Sequence, residues 1–311
     1  MPLARLKLDA FARIAEGIER PEDVVVSRDG RVFASDHRAT VAEIFPDGTF
    51  RRLGPQRGAP NGIAIDLQGR IIVANFGIYD GEPGPLEVFD PQTERRDILL
   101  DTVEGRTLTA SNYPLIDGTG HIWCANSTSA PTWPEALDGR ADGFLYVLRP
   151  DGTASVVADG LRFPNGLAIS ADERILFCCQ TTGGDVLRFP ILPGGRLGKA
   201  ERHGPKLGFI PPFAPNPKLR LPGFLSTFLG YTDGCGMDAE GNVWVTLPAA
   251  HKIVAITPAG DKVTVAHDPS GKLLRQPTNI AWGGPDLCDL YVGSLSASYV
   301  LKARSPVPGS R

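Results

Sequence analysis

Six side chains in this sequence carry an oxygen donor at the same place in a recurring phrase: Glu22, Asn61, Asn112, Asn165, Asp233 and Asn279. Each stands near the start of a short alternating apolar segment, as in PNGIAID (residues 60–66) and PNGLAIS (residues 164–170). Carboxylate and amide oxygens, with no His or Cys among them, are the ligands of a hard divalent cation. Ca²⁺ suits the set best because it takes about 6–8 oxygens in a flexible shell, with Mg²⁺, Mn²⁺ and Zn²⁺ as the other candidates. Glu22 and Asp233 supply the two charges that neutralise such an ion. Any one of these residues alone reads as an Asx turn capping a strand, and Asn–Gly is also a favoured turn dipeptide. All six together favour a site.

The surrounding phrases show what must position them. The stretches PEDVVVSRDGRVFASD from Pro21, PNGIAIDLQGRIIVAN from Pro60 and SNYPLIDGTGHIWCAN from Ser111 each read as strand, tight polar turn and strand. So do PNGLAISADERILFCCQ from Pro164, TDGCGMDAEGNVWVT from Thr232 and, with a one-residue offset, PTNIAWGGPDLCDLYVG from Pro277. Further hairpins such as VAEIFPDGTFRRL and KIVAITPAGDKVTVAHD lie between them, so each unit has four strands. The marker residues are spaced by 39, 51, 53, 68 and 46, and closing the circle through the termini adds 54. Six units of that period predict an all-β fold, a six-bladed β-propeller with four-stranded antiparallel blades around a central channel, as a single domain over residues 1–311. Innermost strands line the channel, which gathers the six markers into a ring at one face.

Composition agrees with a globular chain of that kind: 42% apolar and 22% charged residues, and 36 glycines and 28 prolines that punctuate short strands. A net charge of −3 supplies no basic footprint for nucleic acid or an anionic membrane. No apolar run is long enough for a membrane helix, and the opening MPLARLKLDAFARIAEG lacks a signal-peptide pattern, so the expected location is cytoplasmic. The five cysteines show no CxxC spacing and are expected to pack as apolar groups.

At these motifs the sequence resembles the family of gluconolactonase, regucalcin (senescence marker protein) and luciferin-regenerating enzyme, and more distantly the paraoxonases and strictosidine-synthase-like proteins. The resemblance spans nearly the whole chain and is carried most specifically by FPNGLAISADERILF and TDGCGMDAEGNVWVT. It implies that Glu22, Asn165 and Asp233 are metal ligands and that Asn112 binds the metal or the substrate. Regucalcin-like members write Glu–Gly–Pro at the first position. Here Pro21-Glu22-Asp23 stands closer to the paraoxonase pattern and makes Asp23 a candidate behind the ligands. Paraoxonases carry a His at the second-blade marker, where this chain has Asn61.

The activity implied by the resemblance is metal-dependent hydrolysis of a lactone or related ester. In that scheme Asp233 is the catalytic base, while Asn61, Asn112 and Asn279 face the substrate. A Pro- and Phe-rich insertion at about 206–231 is either an irregular cover with a short helix at 221–229 or a lid. As a lid it offers Phe228, and the loop STSAPTWPEALDGRAD offers Trp133, as walls for a small, partly apolar substrate. His37 and His251 follow inner hairpins and are weighed as possible bases, whereas His121 reads as structural. Two alternatives stay open: the same metal site serving a non-hydrolytic reaction, and a non-catalytic propeller with a structural metal.

Overall fold

Alternation in the sequence becomes six antiparallel sheets in the computed structural model, which describes residues 3–212 and 223–310. From the channel outward, blade 1 is Val24–Val26, Val32–Ser35, Val41–Ile44 and Phe50–Leu53. Blade 2 is Pro60–Ile65, Ile71–Asn75, Leu86–Asp90 and Arg95–Leu100, and blade 3 is Ser111–Ile116, Ile122–Asn126, Gly143–Leu148 and Ala154–Leu161. Blade 4 is Pro164–Ile169, Ile175–Gln180, Asp185–Leu192 and Glu201–His203, with the short Arg196–Leu197 beside its third strand. Blade 5 is Cys235–Met237, Val243–Leu247, Lys252–Ile256 and Lys262–His267. In blade 6 the inner three strands, Pro277–Gly283, Asp289–Ser294 and Val300–Arg304, are completed by Ala12–Ile14 from the other end of the chain. The expected closure through the termini is therefore a three-residue antiparallel pairing, Ala12↔Lys302 to Ile14↔Val300.

Blades stack face to face, so the middle strands are covered on both sides and lose the plain alternation of a half-exposed sheet. Ile71–Asn75, Gly143–Leu148 and Val243–Leu247 are buried at every residue, whereas the outer Arg95–Leu100 is mostly exposed. The apolar clusters lie between neighbouring blades: Trp123, Leu145 and Leu161 pack on Leu167, Leu176 and Phe189, and Val24 and Val32 pack on Tyr291 and Val300. Two hairpin turns share a device that explains their sequence. Asp117 and Asp238 each accept the indole N–H of a tryptophan six residues on, Trp123 at 2.9 Å and Trp244 at 2.8 Å, along with backbone N–H groups of the turn. His121 joins the first of these turns through Asp117, at 3.1 Å, and is structural as expected.

The two PNG phrases are not turns ahead of strands. Pro60 and Pro164 already belong to the inner strands, whose register slips between Pro60 and Ile63 and between Pro164 and Leu167. A Cβ on Gly62 would lie 2.2 Å from the Asn112 carbonyl oxygen, and one on Gly166 would lie 2.5 Å from the Cys235 backbone nitrogen. The glycine is thus required by the backbone of the next blade. The 206–231 insertion has a helix at Gly223–Ser226, shorter than expected, and a bridge between Phe209 and Leu229; its residues 213–222 lie outside the described residues. His251 takes the left-handed backbone at φ 49° after blade 5's second strand, and its Nδ1 accepts the Gln276 N–H at 3.0 Å.

Two outcomes follow from these contacts. Gly166→Ala forces the inner strands of blades 4 and 5 apart and lowers stability by about 1–3 kcal/mol, read as a fall in the unfolding midpoint. Burial pushes the His251 pKa below 6.5, so its contribution to stability is full above pH 6.5 and is lost as pH falls through the folded value. His251→Asn, which tolerates the left-handed backbone, reduces the acid-side loss in denaturant titrations below that pH. His203 and His267, also pushed down by burial, retain the remainder.

Candidate functional site

Strand register sorts the channel residues into two levels. Counting back from the pairs Val24↔Ala34, Ile63↔Val73, Pro114↔Cys124, Leu167↔Cys178, Cys235↔Val245 and Ile280↔Val292, two residues lead to Glu22, Asn61, Asn112, Asn165, Asp233 and Thr278. One residue leads to Asp23, Gly62, Tyr113, Gly166, Gly234 and Asn279. Five of the six sequence markers therefore share the upper level. Asn279 does not: the one-residue offset of the blade 6 motif places Thr278 in the ring and drops Asn279 a level deeper. There its amide nitrogen donates to Asp23 Oδ1 and its Oδ1 accepts the Tyr113 hydroxyl at 2.9 Å. Both ends of that amide are engaged, which removes it from the substrate-facing set.

In the upper ring the amide nitrogens of Asn112 and Asn165 are tied to neighbouring hydroxyls. Asn112 Nδ2 donates to Ser127 Oγ at 2.9 Å, which itself donates to the Pro164 carbonyl at 2.8 Å, and Asn165 Nδ2 donates to Thr181 Oγ1 at 3.1 Å. Asn165 Oδ1 is left buried with no hydrogen-bond partner among the described residues. Such an orphaned acceptor is costly unless something absent from the protein chain satisfies it. Asn61 is buried as well. Thr278 is spent on the fold, donating to the Glu22 carbonyl at 2.6 Å.

The carboxylates of the ring are close enough to disturb one another. Burial pushes the Asp233 carboxyl well above its usual range, the Glu22 charge pushes it further, and Asn165 and Arg20 oppose the rise. Burial also carries Asp23 up to about 7, although the N–H groups of Ile63 (2.7 Å) and Val24 (2.7 Å) and the Asn279 amide favour its ionised form. Glu22 Oε1 pairs with Arg20 at 2.6 Å, and the guanidinium of Arg20 lies 4.2 Å from the centre of the Tyr79 ring. Excess buried negative charge and an orphaned amide oxygen, all hard oxygen donors, fit a divalent cation held by Glu22, Asn165 and Asp233. Among the described residues no cluster of three or more His, Cys, Asp or Glu could hold a metal, so the amide oxygens are needed to complete this set.

The mouth above the ring is part apolar and part charged. Trp133, on the short helix Trp133–Ala136, sits 5.4 Å from Phe76, which is 6.1 Å from Phe163. Phe76 directly follows blade 2's second strand and Phe163 precedes Pro164, so this cluster belongs to the ring's end of the channel. Phe228 is 65% exposed beside Phe209. His37 stands 3.7 Å from Asp80 and edge-on to Tyr79 at 4.9 Å, at the mouth but off the ring, while His251 is committed to Gln276. Below Asp23, Tyr113 and Asn279 the channel turns apolar, with a cavity of about 340 Å³ lined by all six inner strands. Neither Arg20 nor Tyr113 stands at a marker position of the repeated phrase. Arg20 carries a signal in hindsight, a charge two residues before Glu22; Tyr113 becomes visible only once the register is known.

Comparison with known proteins bears on the fold and the family. A gluconolactonase from Zymomonas mobilis is 24% identical over 221 residues, 69% of this chain and 55% of that protein, so the chain spans about half of that relative's length. The pentonolactonase XacC of Haloferax volcanii is 25% identical over 274 residues, 85% of this chain and 80% of that protein. The crystal structure of a calcium-binding protein, regucalcin from Agrobacterium tumefaciens, shares the fold with a TM-score of 0.68 at 17% identity, covering 99% of this chain and 98% of that one. The model for the strictosidine synthase-like N-terminal region matches residues 6–38. The model for the SMP-30/gluconolactonase/LRE-like region matches residues 77–296, more than two thirds of the 311 residues, and the chain belongs to that family.

Proposed function

We propose that this protein is a metal-dependent hydrolase that opens a lactone or a related ester over the channel ring, with Ca²⁺ as the favoured ion. The observation that carries the proposal is the buried Asn165 Oδ1, without a hydrogen-bond partner among the described residues, beside the carboxylates of Asp233 and Glu22. The lactonase relatives and the calcium-binding regucalcin support the reaction class and the ion. A divalent cation held by Glu22, Asn165 and Asp233 would supply positive charge to polarise a carbonyl and to ease loss of a proton from water.

The chain's own groups account for the rest. Asp233, whose carboxyl burial pushes well above its usual range, accepts a proton from the attacking water. The water oxygen bonds to the acyl carbon, the ring C–O bond breaks, and the proton passes to the leaving alkoxide, which gives the open hydroxy acid. Asn61 and Asn112, members of the ring, orient the substrate carbonyl. Asp23 lies behind Glu22 and holds the lower level through Asn279 and Ile63. Trp133, packed on Phe76, and the exposed Phe228 are the apolar groups assigned to the substrate, which suits one with apolar substituents.

Chelation followed by assay on aliphatic and aromatic lactones, with Ca²⁺, Mg²⁺, Mn²⁺ and Zn²⁺ added back, tests the reading. Turnover returns with the ion, and Asp233→Asn lowers kcat by at least about 10²-fold. Full activity after chelation together with an active Asp233→Asn enzyme would sink it. Loss of thermal stability without any metal-dependent turnover would assign the ion a structural role. Trp133→Ala raises KM for aromatic lactones by roughly 10-fold, the worth of a modest apolar contact, and leaves KM for small aliphatic lactones nearly unchanged.

A further inference from the structure

The proposed chemistry leaves one charged residue of the centre without a task. Arg20 stands two residues before Glu22 at φ 51°, a backbone region that L side chains rarely adopt. Its guanidinium is buried, with one nitrogen on Glu22 Oε1 at 2.6 Å and another reaching the Pro60 carbonyl at 3.4 Å, and its face lies on Tyr79. Its Nε is buried with no hydrogen-bond partner among the described residues. Hydrogen bonding is thus incomplete and the backbone is strained, yet the chain holds a permanent positive charge against the carboxylate assigned as a metal ligand. Glu22 is the only carboxylate in ion-pair contact with Arg20 among the described residues, and Asp233 feels the same charge.

We infer that Arg20 is a built-in counter-cation that competes with the divalent ion for the Glu22 carboxylate, so that the centre stays charge-balanced without the ion and holds it weakly and exchangeably. The inference rests on the metal reading of the ring. Two positive charges sharing one buried carboxylate repel each other strongly where water is excluded, so seating the ion loosens the Arg20–Glu22 pair. Tyr79 gives the displaced guanidinium an aromatic face that it already contacts. The strained backbone at residue 20 is what brings the charge within reach of Glu22.

Calorimetric titration of the chelated protein with Ca²⁺, together with thermal unfolding with and without the ion, tests this in the wild type, Arg20→Gln, Arg20→Gly and Arg20→Lys. The neutral variants bind Ca²⁺ at least about tenfold more tightly, melt lower than the wild type in chelator, and gain more from added Ca²⁺. Arg20→Gly suits the left-handed backbone, so it keeps the comparison sound where Arg20→Gln folds poorly. Arg20→Lys keeps the charge and stays within about threefold of the wild-type affinity, a rescue that a purely structural role would not give. Equal or weaker Ca²⁺ binding by the folded neutral variants, with the wild type still binding, overturns this inference alone. Absence of binding by every protein overturns the metal reading and the inference with it.

Discussion

Six strands cannot converge on one axis with six side chains at every level. Immediately beneath the ring this chain places only three, Asp23, Tyr113 and Asn279, and the other three blades have Gly62, Gly166 and Gly234 at that level. Each of those glycines faces a neighbour's backbone so closely that a methyl group could not be accommodated. The close approach holds the amides and carboxylates of the upper ring near one another and away from water. Their burial in turn raises the Asp233 and Asp23 carboxyls and creates the demand for positive charge. Packing at one level therefore sets the electrostatics of the next.

Much of this was legible in the sequence because repetition exposes it. The blade period, the hairpin turns and five members of the ring follow from comparing the chain with itself, since each blade solves the same packing problem. What escaped depends on single-residue register. A strand shifted by one residue presents the opposite side chain, which is why Asn279 and Thr278 exchange levels in blade 6. The two PNG phrases look like turn dipeptides, but the next blade's backbone, invisible in one dimension, is what selects their glycine. Arg20 escaped for another reason: its role lies in a pairing with Glu22 and a stacking on Tyr79, nearly sixty residues away.

The two ends of the channel differ in kind. On the ring side, blades 1 and 2 contribute Arg20, Tyr79 and His37, and blades 2 to 4 contribute Phe76, Trp133 and Phe163. A molecule entering there meets charge on one flank and aromatic surface on the other, which favours one orientation of a polar head with an apolar substituent. On the far side the cavity is walled by residues such as Val25, Ile63, Leu167 and Met237. The hydrogen-bonded group of Asp23, Asn279 and Tyr113 separates the two regions and closes the floor of the polar centre.

The clasp of Ala12–Ile14 on Val300–Arg304 also has a mechanical meaning. Because these strands run antiparallel, with Ala12 opposite Lys302, the two chain ends leave the sheet from the same side. Tension applied between them peels this pairing one bond at a time, an unzipping geometry that resists force poorly compared with shear. The tails give way first, Leu6 from Val265 and Pro308–Ser310 from Ala239, Leu287 and Met237, and further load then opens the circle at the outer strand of blade 6. Glu22 follows that strand by only eight residues, so the same pull would draw one carboxylate out of the ring and leave the other five members in place.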